Sequence, residues 1–301
     1  MNGTSFQSDI RYWLKQENTV NHLMFVNIVI FIVLGLLFVL AAPNTFHIHF
    51  AVVTHAFLLE NLQLNIYNDT LLYKPWGLLT YMFVHTGIFH IFFNMLNLYW
   101  FGNMFRSTLG NKRVLPLYLL AGIIGALVYI LFYYALPPTN MLGGPMIGAS
   151  AAVMCFLVAS ATLMPNVEIS LLFLGHIRLK WVAIGVIIID IIAIPGGNVG
   201  GILAHLGGAA FGYAYVRILQ NNGTDLCAPL ISLFEKISGL FSRQPRPRKF
   251  KPKKSPLRVV RNPEPSHATK LDQLLDKINE KGYNSLTSDE KQWLKKYSDE
   301  K

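Results

Sequence analysis

The 301-residue sequence is poor in charge, since Asp, Glu, Lys and Arg make up only 14% of it, against roughly 25% in an ordinary soluble domain. Hydrophobic residues account for 52%, and the mean hydropathy is positive. This balance excludes a soluble globular fold for most of the chain. The sequence therefore predicts an all-α, polytopic membrane protein.

Cysteine is also scarce. Cys155 lies in an apolar segment and Cys227 lies beyond the last one, and the two match neither a disulfide framework nor a metal-ligand spacing. We therefore expect no disulfide, no metal site and no cofactor.

The pattern of a cleavable signal peptide is missing as well. Residues 1–22 include Asp9 and Glu17, and the apolar run that follows is too long for a signal-peptide core. The acidic residues also argue against a mitochondrial presequence. We expect residues 1–22 to be a cytoplasmic interfacial segment and the run after them to remain as a helix.

Six apolar segments are long enough, or nearly so, to cross a bilayer, which takes about 20 residues. They lie near 23–42, 78–104, 114–136, 148–164, 181–195 and 199–219. We predict a six-helix domain over residues 23–220. The loop at 44–76 is rich in Leu and Tyr, and we expect it to lie partly in the membrane and to be functional.

The formal net charge of +10 points first to nucleic acid, but the basic residues occupy alternate short loops and the region after Ser242. Membrane topology explains this distribution better, and it predicts that both termini are cytoplasmic. We expect no nucleic-acid partner.

The C-terminal region divides into two predicted parts. Residues 221–268 form a basic, proline-rich cytoplasmic linker that is expected to bind anionic lipid. Residues 269–301 form a short helical tail of two helices, in which Gly282 ends the first and Thr287 with Glu290 caps the second.

The fourth apolar segment, residues 148–164, is short for a membrane crossing, at about 25 Å as a helix against a hydrocarbon core of about 30 Å. A loop rich in Pro and Gly precedes it. Irregular backbone at such depth requires a wet cavity or a protein environment. We therefore expect Ser150 to be recessed and accessible to water.

A histidine in a membrane helix is costly, so His205 in the sixth segment and His90 in the second each need an explanation. Hydrogen bonding between helices is the simplest one. The alternative is that His205 is the base that activates Ser150, since the two are expected at similar depths. The glycines of the sixth segment, including Gly208 and Gly212, would permit close approach of the two helices.

Other polar groups complete a candidate site. His90 and Asn94 lie four residues apart on one helix face and, with the backbone amide of Ser150, are candidate oxyanion donors. His85 either braces the loop or retains water. Asp190 is the acidic residue of the apolar region. We expect the serine–histidine pair to act without an acid, in which case Asp190 lines the cavity; the alternative is that Asp190 orients the base.

These motifs resemble those of the rhomboid family of intramembrane serine proteases over roughly residues 20 to 220. The resemblance rests on His85, His90 and Asn94, on Gly148 and Ser150 in GAS, and on His205, Gly208 and Gly212 in AHLGGAAFG. It implies a six-helix rhomboid bundle in a bacterial cytoplasmic membrane. It also implies cleavage of single-span or polytopic membrane proteins near the outer ends of their transmembrane segments, at small residues.

In that family, Ser150 would be the nucleophile, His205 the base, and His90 and Asn94 the oxyanion donors, with Gly148, His85, Gly208 and Gly212 in support. The sequence departs from the pattern at Gly77 after Trp76, where Arg is common, at Arg106, where Glu is common, and at Met154, where some members carry an aromatic.

Two alternatives remain. An inactive rhomboid-like protein would bind transmembrane segments without cutting them, although such relatives usually lack Ser150, His205 or both. A channel or transporter would also explain polar residues in the membrane, but it predicts an internal repeat that the sequence does not show.

Overall fold

The computed structural model describes residues 17–43, 48–66, 70–135, 144–171, 175–196, 198–241 and 267–299. The chain divides into two compact units, Met1–Arg243 and Gln244–Lys301. The first unit contains the candidate site.

The described part of the first unit contains eleven α-helices and one β-hairpin. The helices are α1 (Thr19–Ala41), α2 (His49–Leu62), α3 (Thr70–Tyr73), α4 (Gly77–Thr80), α5 (Ile88–Asn97), α6 (Asn103–Leu109), α7 (Val114–Ala135), α8 (Ser150–Leu163), α9 (Leu179–Ala193), α10 (Val199–Asn222) and α11 (Ala228–Phe241). A π-helical turn, Leu98–Gly102, joins α5 to α6. Strands β1 (Glu168–Leu171) and β2 (Gly175–Arg178) pair antiparallel between α8 and α9.

Helix α8 lies at the centre of this unit. Every residue from Ala151 to Ser160 is buried, and the helix has no charged side chain. A helix that is apolar and small on all sides is suited to complete enclosure by its neighbours, here α7, α10 and the α5–α6 region. The candidate nucleophile is therefore the first residue of the most enclosed helix.

The predicted membrane fold is confirmed in its main features. Within the described residues, four helices are long and apolar enough to span a bilayer: Thr19–Ala41, Asn111–Ala135, Leu179–Gly196 and Val199–Asn222. A bent pair, Gly77–Phe83 and Ile88–Leu109, makes a fifth if counted as one span. With the short apolar helix α8, this is compatible with six segments.

The second segment differs from the prediction of one span over 78–104. The chain bends by 94° between Phe83 and Ile88. Val84 and Gly87 have extended backbone there, which ends one helix before the next begins. The bend separates His85 from the helix that carries His90 and Asn94.

Two predicted irregular regions contain helices. The loop at 44–76 carries α2 and α3, and the predicted linker at 221–268 contains the last two residues of α10 and the whole of α11. Helix α11 and the loop before it contact the 3₁₀ turn that precedes α7, through ion pairs of Arg113 with Asp225 at 2.7 Å and of Lys112 with Glu235 at 2.6 Å. Residues 1–16 of the predicted interfacial segment, and residues 242–266 of the linker, lie outside the described residues.

The second unit has the two helices predicted from its sequence, α12 (His267–Lys281) and α13 (Ser288–Asp299). Gly282 follows α12 with a φ of 79°, a conformation that suits glycine after a helix. The Thr287 amide donates to Glu290 Oε2 at 2.7 Å, and the Glu290 amide donates to Thr287 Oγ1 at 3.3 Å. The predicted capping box is therefore confirmed.

Candidate active site

The segment that leads into Ser150 is fixed by backbone hydrogen bonds to earlier parts of the chain. Leu64 and Met146 exchange two, at 2.9 and 2.8 Å, and the Gly148 amide donates to the Tyr81 carbonyl at 2.9 Å. The next amide, of Ala149, donates to Nε2 of His85 at 3.3 Å. Irregular backbone buried in protein must find such partners, and here they determine where α8 begins.

Gly148 is required at its position for two reasons. Its φ is +113°, which residues with a side chain rarely adopt, and a Cβ there would lie 2.7 Å from Nε2 of His90. The imidazole of His90 therefore packs directly on the backbone two residues before Ser150.

Ser150 and His205 come together as the sequence predicts. Oγ of Ser150, at the first residue of α8, lies 2.7 Å from Nε2 of His205 on α10. A β-carbon at Gly208 or Gly212 would overlap the carbonyl oxygen of Ala151 or Cys155, respectively. The two glycines thus allow the backbones of α8 and α10 to touch, which brings the serine and histidine within hydrogen-bond distance.

An acidic side chain lies beside the serine–histidine pair, which the sequence predicts to act without one. Oδ2 of Asp190, on α9, lies 3.1 Å from Nδ1 of His205. Both side chains are mostly buried, with exposures of 18% for Asp190 and 23% for His205. Asp190 therefore contacts the histidine directly, as well as lining the cavity.

Three further polar side chains, those of Asn94, His85 and His90, lie near the start of α8. Asn94 is 6% exposed, and its Nδ2 donates to the His90 carbonyl at 2.8 Å, so that one of its two amide hydrogens remains for another acceptor. His85 is buried against His90, with ring centroids 5.0 Å apart. Because His85 accepts a hydrogen bond from Ala149, it braces the loop, one of its two predicted roles.

A cavity of about 680 Å³ connects these groups. Its lining includes His90, Asn94, Ser150, Asp190 and His205, together with apolar side chains from α5, α8 and α9. The backbone amides at the start of α8 lack carbonyl partners within the helix and carry its positive dipole end. The cavity therefore combines a hydroxyl bonded to a base with donors suited to an anion.

Several site residues were not predicted from the sequence. Asn198 lines the cavity, and its Oδ1 accepts a hydrogen bond from the Gly201 amide at 3.3 Å. It is the N-cap of α10, and an asparagine just before a helix is a sequence signal for that position. Tyr81 and Leu64 act through backbone groups, which leave no side-chain signature.

The structure shows the contacts of the three residues that depart from the family pattern, Gly77, Arg106 and Met154. Trp76 Nε1 donates to the Asn61 carbonyl at 2.8 Å, and a β-carbon at Gly77 would lie 3.1 Å from the Gln63 carbonyl oxygen. Arg106 Nε donates to Asn103 Oδ1 at 3.1 Å. Met154 lines the cavity, one turn after Ser150.

The fold and the site define a multi-pass helical membrane protein with a serine–histidine–aspartate cluster between its helices. The Rhomboid domain model matches residues 73–222, and a model described as a family of unknown function (DUF6576) matches residues 266–300. The chain belongs to the rhomboid family, and the predicted resemblance is confirmed.

Curated relatives match the same region. Presenilin-associated rhomboid-like protein A, mitochondrial, of Danio rerio is 30% identical over 183 residues, which cover 55% of this chain and 43% of the relative. RHOMBOID-like protein 12, mitochondrial, of Arabidopsis thaliana is 30% identical over 203 residues, 62% of this chain and 58% of the relative. The chain thus spans about half the length of these two relatives.

A further relative carries a different description. Inactive RHOMBOID-like protein 8 of Arabidopsis thaliana is 34% identical over 65 residues, 22% of this chain and 18% of the relative. Family membership alone therefore does not decide whether a chain has protease activity, which depends on the residues of its site.

Proposed function

We propose that this protein is an intramembrane serine endopeptidase that cleaves peptide bonds in or near the transmembrane segments of membrane proteins. The single observation that carries the proposal is the 2.7 Å contact between Ser150 Oγ and His205 Nε2, inside a cavity among apolar helices. A serine hydroxyl becomes an effective nucleophile when a neutral imidazole accepts its proton.

The reaction follows from this arrangement. Ser150 Oγ forms a bond to the scissile carbonyl carbon while its proton moves to Nε2 of His205. His205 then gives that proton to the departing amine nitrogen as the C–N bond breaks, which leaves an ester on Ser150. A water molecule, deprotonated by the same imidazole, hydrolyses the ester and restores the serine.

Negative charge develops on the substrate carbonyl oxygen during both steps. We propose that the free amide hydrogen of Asn94, a ring nitrogen of His90 and the Ser150 backbone amide stabilise it. Removal of one such donor in a serine protease costs about 10²–10³-fold in kcat. The positive end of the α8 dipole acts in the same direction.

We also propose the setting in which this occurs. In this proposal both termini are on the cytoplasmic side of a bacterial inner membrane, which the distribution of basic residues among the loops supports, and the basic region after Ser242 binds anionic lipid there. The relatives' names describe those proteins as mitochondrial. Fusions of a periplasmically active reporter after the predicted loops of the chain test the orientation in a bacterial host; activity at the basic loops would contradict it.

A fluorophosphonate probe tests the nucleophile without knowledge of the substrate. Purified protein should form an adduct that peptide mass spectrometry assigns to Ser150, and Ser150→Ala should form none. Ser160, which is buried in the same helix and bonded to the Phe101 carbonyl, provides the matched control, since Ser160→Ala should still be labelled. No labelling of the folded wild-type protein would favour the inactive, segment-binding alternative.

A further inference from the structure

Asp190 is an acidic side chain in the otherwise apolar run WVAIGVIIIDIIA of α9. An ionisable group costs several kcal/mol in a membrane environment and is ordinarily retained for a reason. Its neighbours along the helix do not supply one, because Ile189 and Ile191 are exposed on the outside of the bundle. Its polar contact is with His205, on a different helix.

The two nitrogens of the His205 ring face different partners. Nε2 faces the Ser150 hydroxyl at 2.7 Å and Nδ1 faces Asp190 Oδ2 at 3.1 Å. A neutral imidazole has one N–H, and only the nitrogen without hydrogen can accept the serine proton. A carboxylate accepts hydrogen bonds but does not donate them, so it favours the tautomer with hydrogen on Nδ1.

We propose that Asp190 is a positioning residue for the reaction: it holds His205 in the tautomer and ring orientation that leave Nε2 free to take the serine proton. This inference rests on the proposed function. Asp190 does not touch the reacting bond. Once Nε2 has accepted the proton, the carboxylate also stabilises the positively charged imidazolium.

The position of Asp190 makes α9 part of the site. Within the described residues, only Leu179 and Ala183 of α9 are buried, and both lie near its start. The Leu179 and Lys180 amides bond to the Val167 and Pro165 carbonyls at that same end. The bond from Asp190 to His205 joins the other half of the helix to α10, so an outward shift of that half would also release the base.

The test compares Asp190→Asn with wild-type protein and with Ile192→Ala, a control on the same helix whose side chain is 71% exposed. Asparagine keeps the shape of aspartate but can donate to Nδ1 and favour the wrong tautomer. We expect kcat on a single-span reporter to fall at least tenfold, with about 10⁴-fold as the limit known for triads, and KM to change less than threefold. Ile192→Ala should match the wild type.

The pH profile separates positioning from a structural role. If Asp190 acts through His205, Asp190→Asn should change the shape of the kcat profile against pH, whereas a packing defect should lower kcat equally at every pH. Besides Asp190, the titratable residues that line the cavity with His205 in the described structure are His90 and Tyr81, and His85 packs against His90. Repeating the profile in His90→Gln, on its residual activity, shows whether the change belongs to His205.

A second variant keeps the proposal falsifiable if Asp190→Asn folds poorly. In Asp190→Ala, added formate should restore part of the rate of Ser150 labelling by a fluorophosphonate, whereas chloride should not. Undiminished kcat with an unchanged pH profile in Asp190→Asn, or absence of formate rescue in folded Asp190→Ala, would overturn the proposal. With either result the wild type would still cleave the reporter. If the proposed function itself were wrong, the wild type would show neither cleavage nor labelling at Ser150.

Discussion

Leu64 and Met146 exchange a pair of backbone hydrogen bonds, at 2.9 and 2.8 Å, between the segment after α2 and the segment that leads into Ser150. The contact joins parts of the chain that are distant in sequence and contributes no side chain to the chemistry. It nevertheless fixes the path by which the backbone reaches the nucleophile. The long loop at 44–76 thus has a specific task in the site.

A cross-link tests whether this pairing persists during catalysis. Paired residues of this kind have α-carbons about 5.5 Å apart, within the range of a disulfide. The double variant Leu64→Cys with Met146→Cys should therefore oxidise and retain cleavage activity. Each single variant controls for loss of the native side chain, and Cys155 and Cys227 are both buried. An oxidised protein that regains activity only on reduction would show instead that the two segments must separate.

The contact between α8 and α10 should be intolerant of a single methyl group. Gly208→Ala would drive a β-carbon into the Ala151 carbonyl, and overpacking of this kind typically costs 1–3 kcal/mol, occasionally more. We expect a lower free energy of unfolding in detergent and lost activity. Gly35→Ala is the matched control, because a β-carbon there meets nothing within 4 Å. Equal stability of the two variants would contradict the packing account.

Asn94→Ala should lower kcat by about 10²–10³-fold, with little effect on KM, because its amide donates to charge that exists only in the transition state. Asn61→Ala on α2 is the control: its Nδ2 makes the same kind of bond, to the Phe57 carbonyl at 2.8 Å, and its side chain is not among those that line the cavity. Steady-state kinetics on a reporter peptide measure both. A change confined to KM would assign Asn94 to substrate binding.

The second unit has a pH-dependent contact between its helices. The hydrogen bond from Lys277, and to a smaller extent the one from the Thr287 amide, lower the pKa of the Glu290 carboxyl to about 2. A lowered pKa in the folded state means that this contact stabilises the unit above the unfolded pKa of about 4.3, and that the stabilisation is lost as pH falls towards 2. NMR titration of the carboxyl should show the low pKa, and Lys277→Ala should raise it.

Lys281→Ala provides the comparison, because Lys281 is the last residue of the same helix and the bond to Glu290 comes from Lys277. It should leave the Glu290 titration unchanged. If Lys277→Ala also left it unchanged, the low pKa would have to come from the capping box alone.

The features predicted correctly from the sequence share one property: each depends on residue type and spacing along one segment. Ser150 and His205 were expected at similar depths because both lie near the outer ends of their segments, and the glycines of α10 indicated close packing. The capping box at Thr287 and the helix end at Gly282 are likewise local signals.

The features that the sequence did not reveal depend on how separate segments pack. The contact between Asp190 and His205 depends on the rotation of α9 about its axis, which a nearly uniform apolar helix does not encode in its pattern. The 94° bend before Ile88 occurs without proline, and its only local signal is the short interruption of the apolar run by His85, Thr86 and Gly87. The pairing of Leu64 with Met146 uses backbone atoms alone.

The central claim is that Ser150 and His205 together cut a membrane-embedded peptide. The most direct measurement reconstitutes wild-type protein, Ser150→Ala and His205→Ala in liposomes with a single-span reporter, and identifies products by mass spectrometry. The account predicts one internal cleavage by the wild type and none by either variant when both remain folded. Cleavage that persists at the same bond in Ser150→Ala would contradict it.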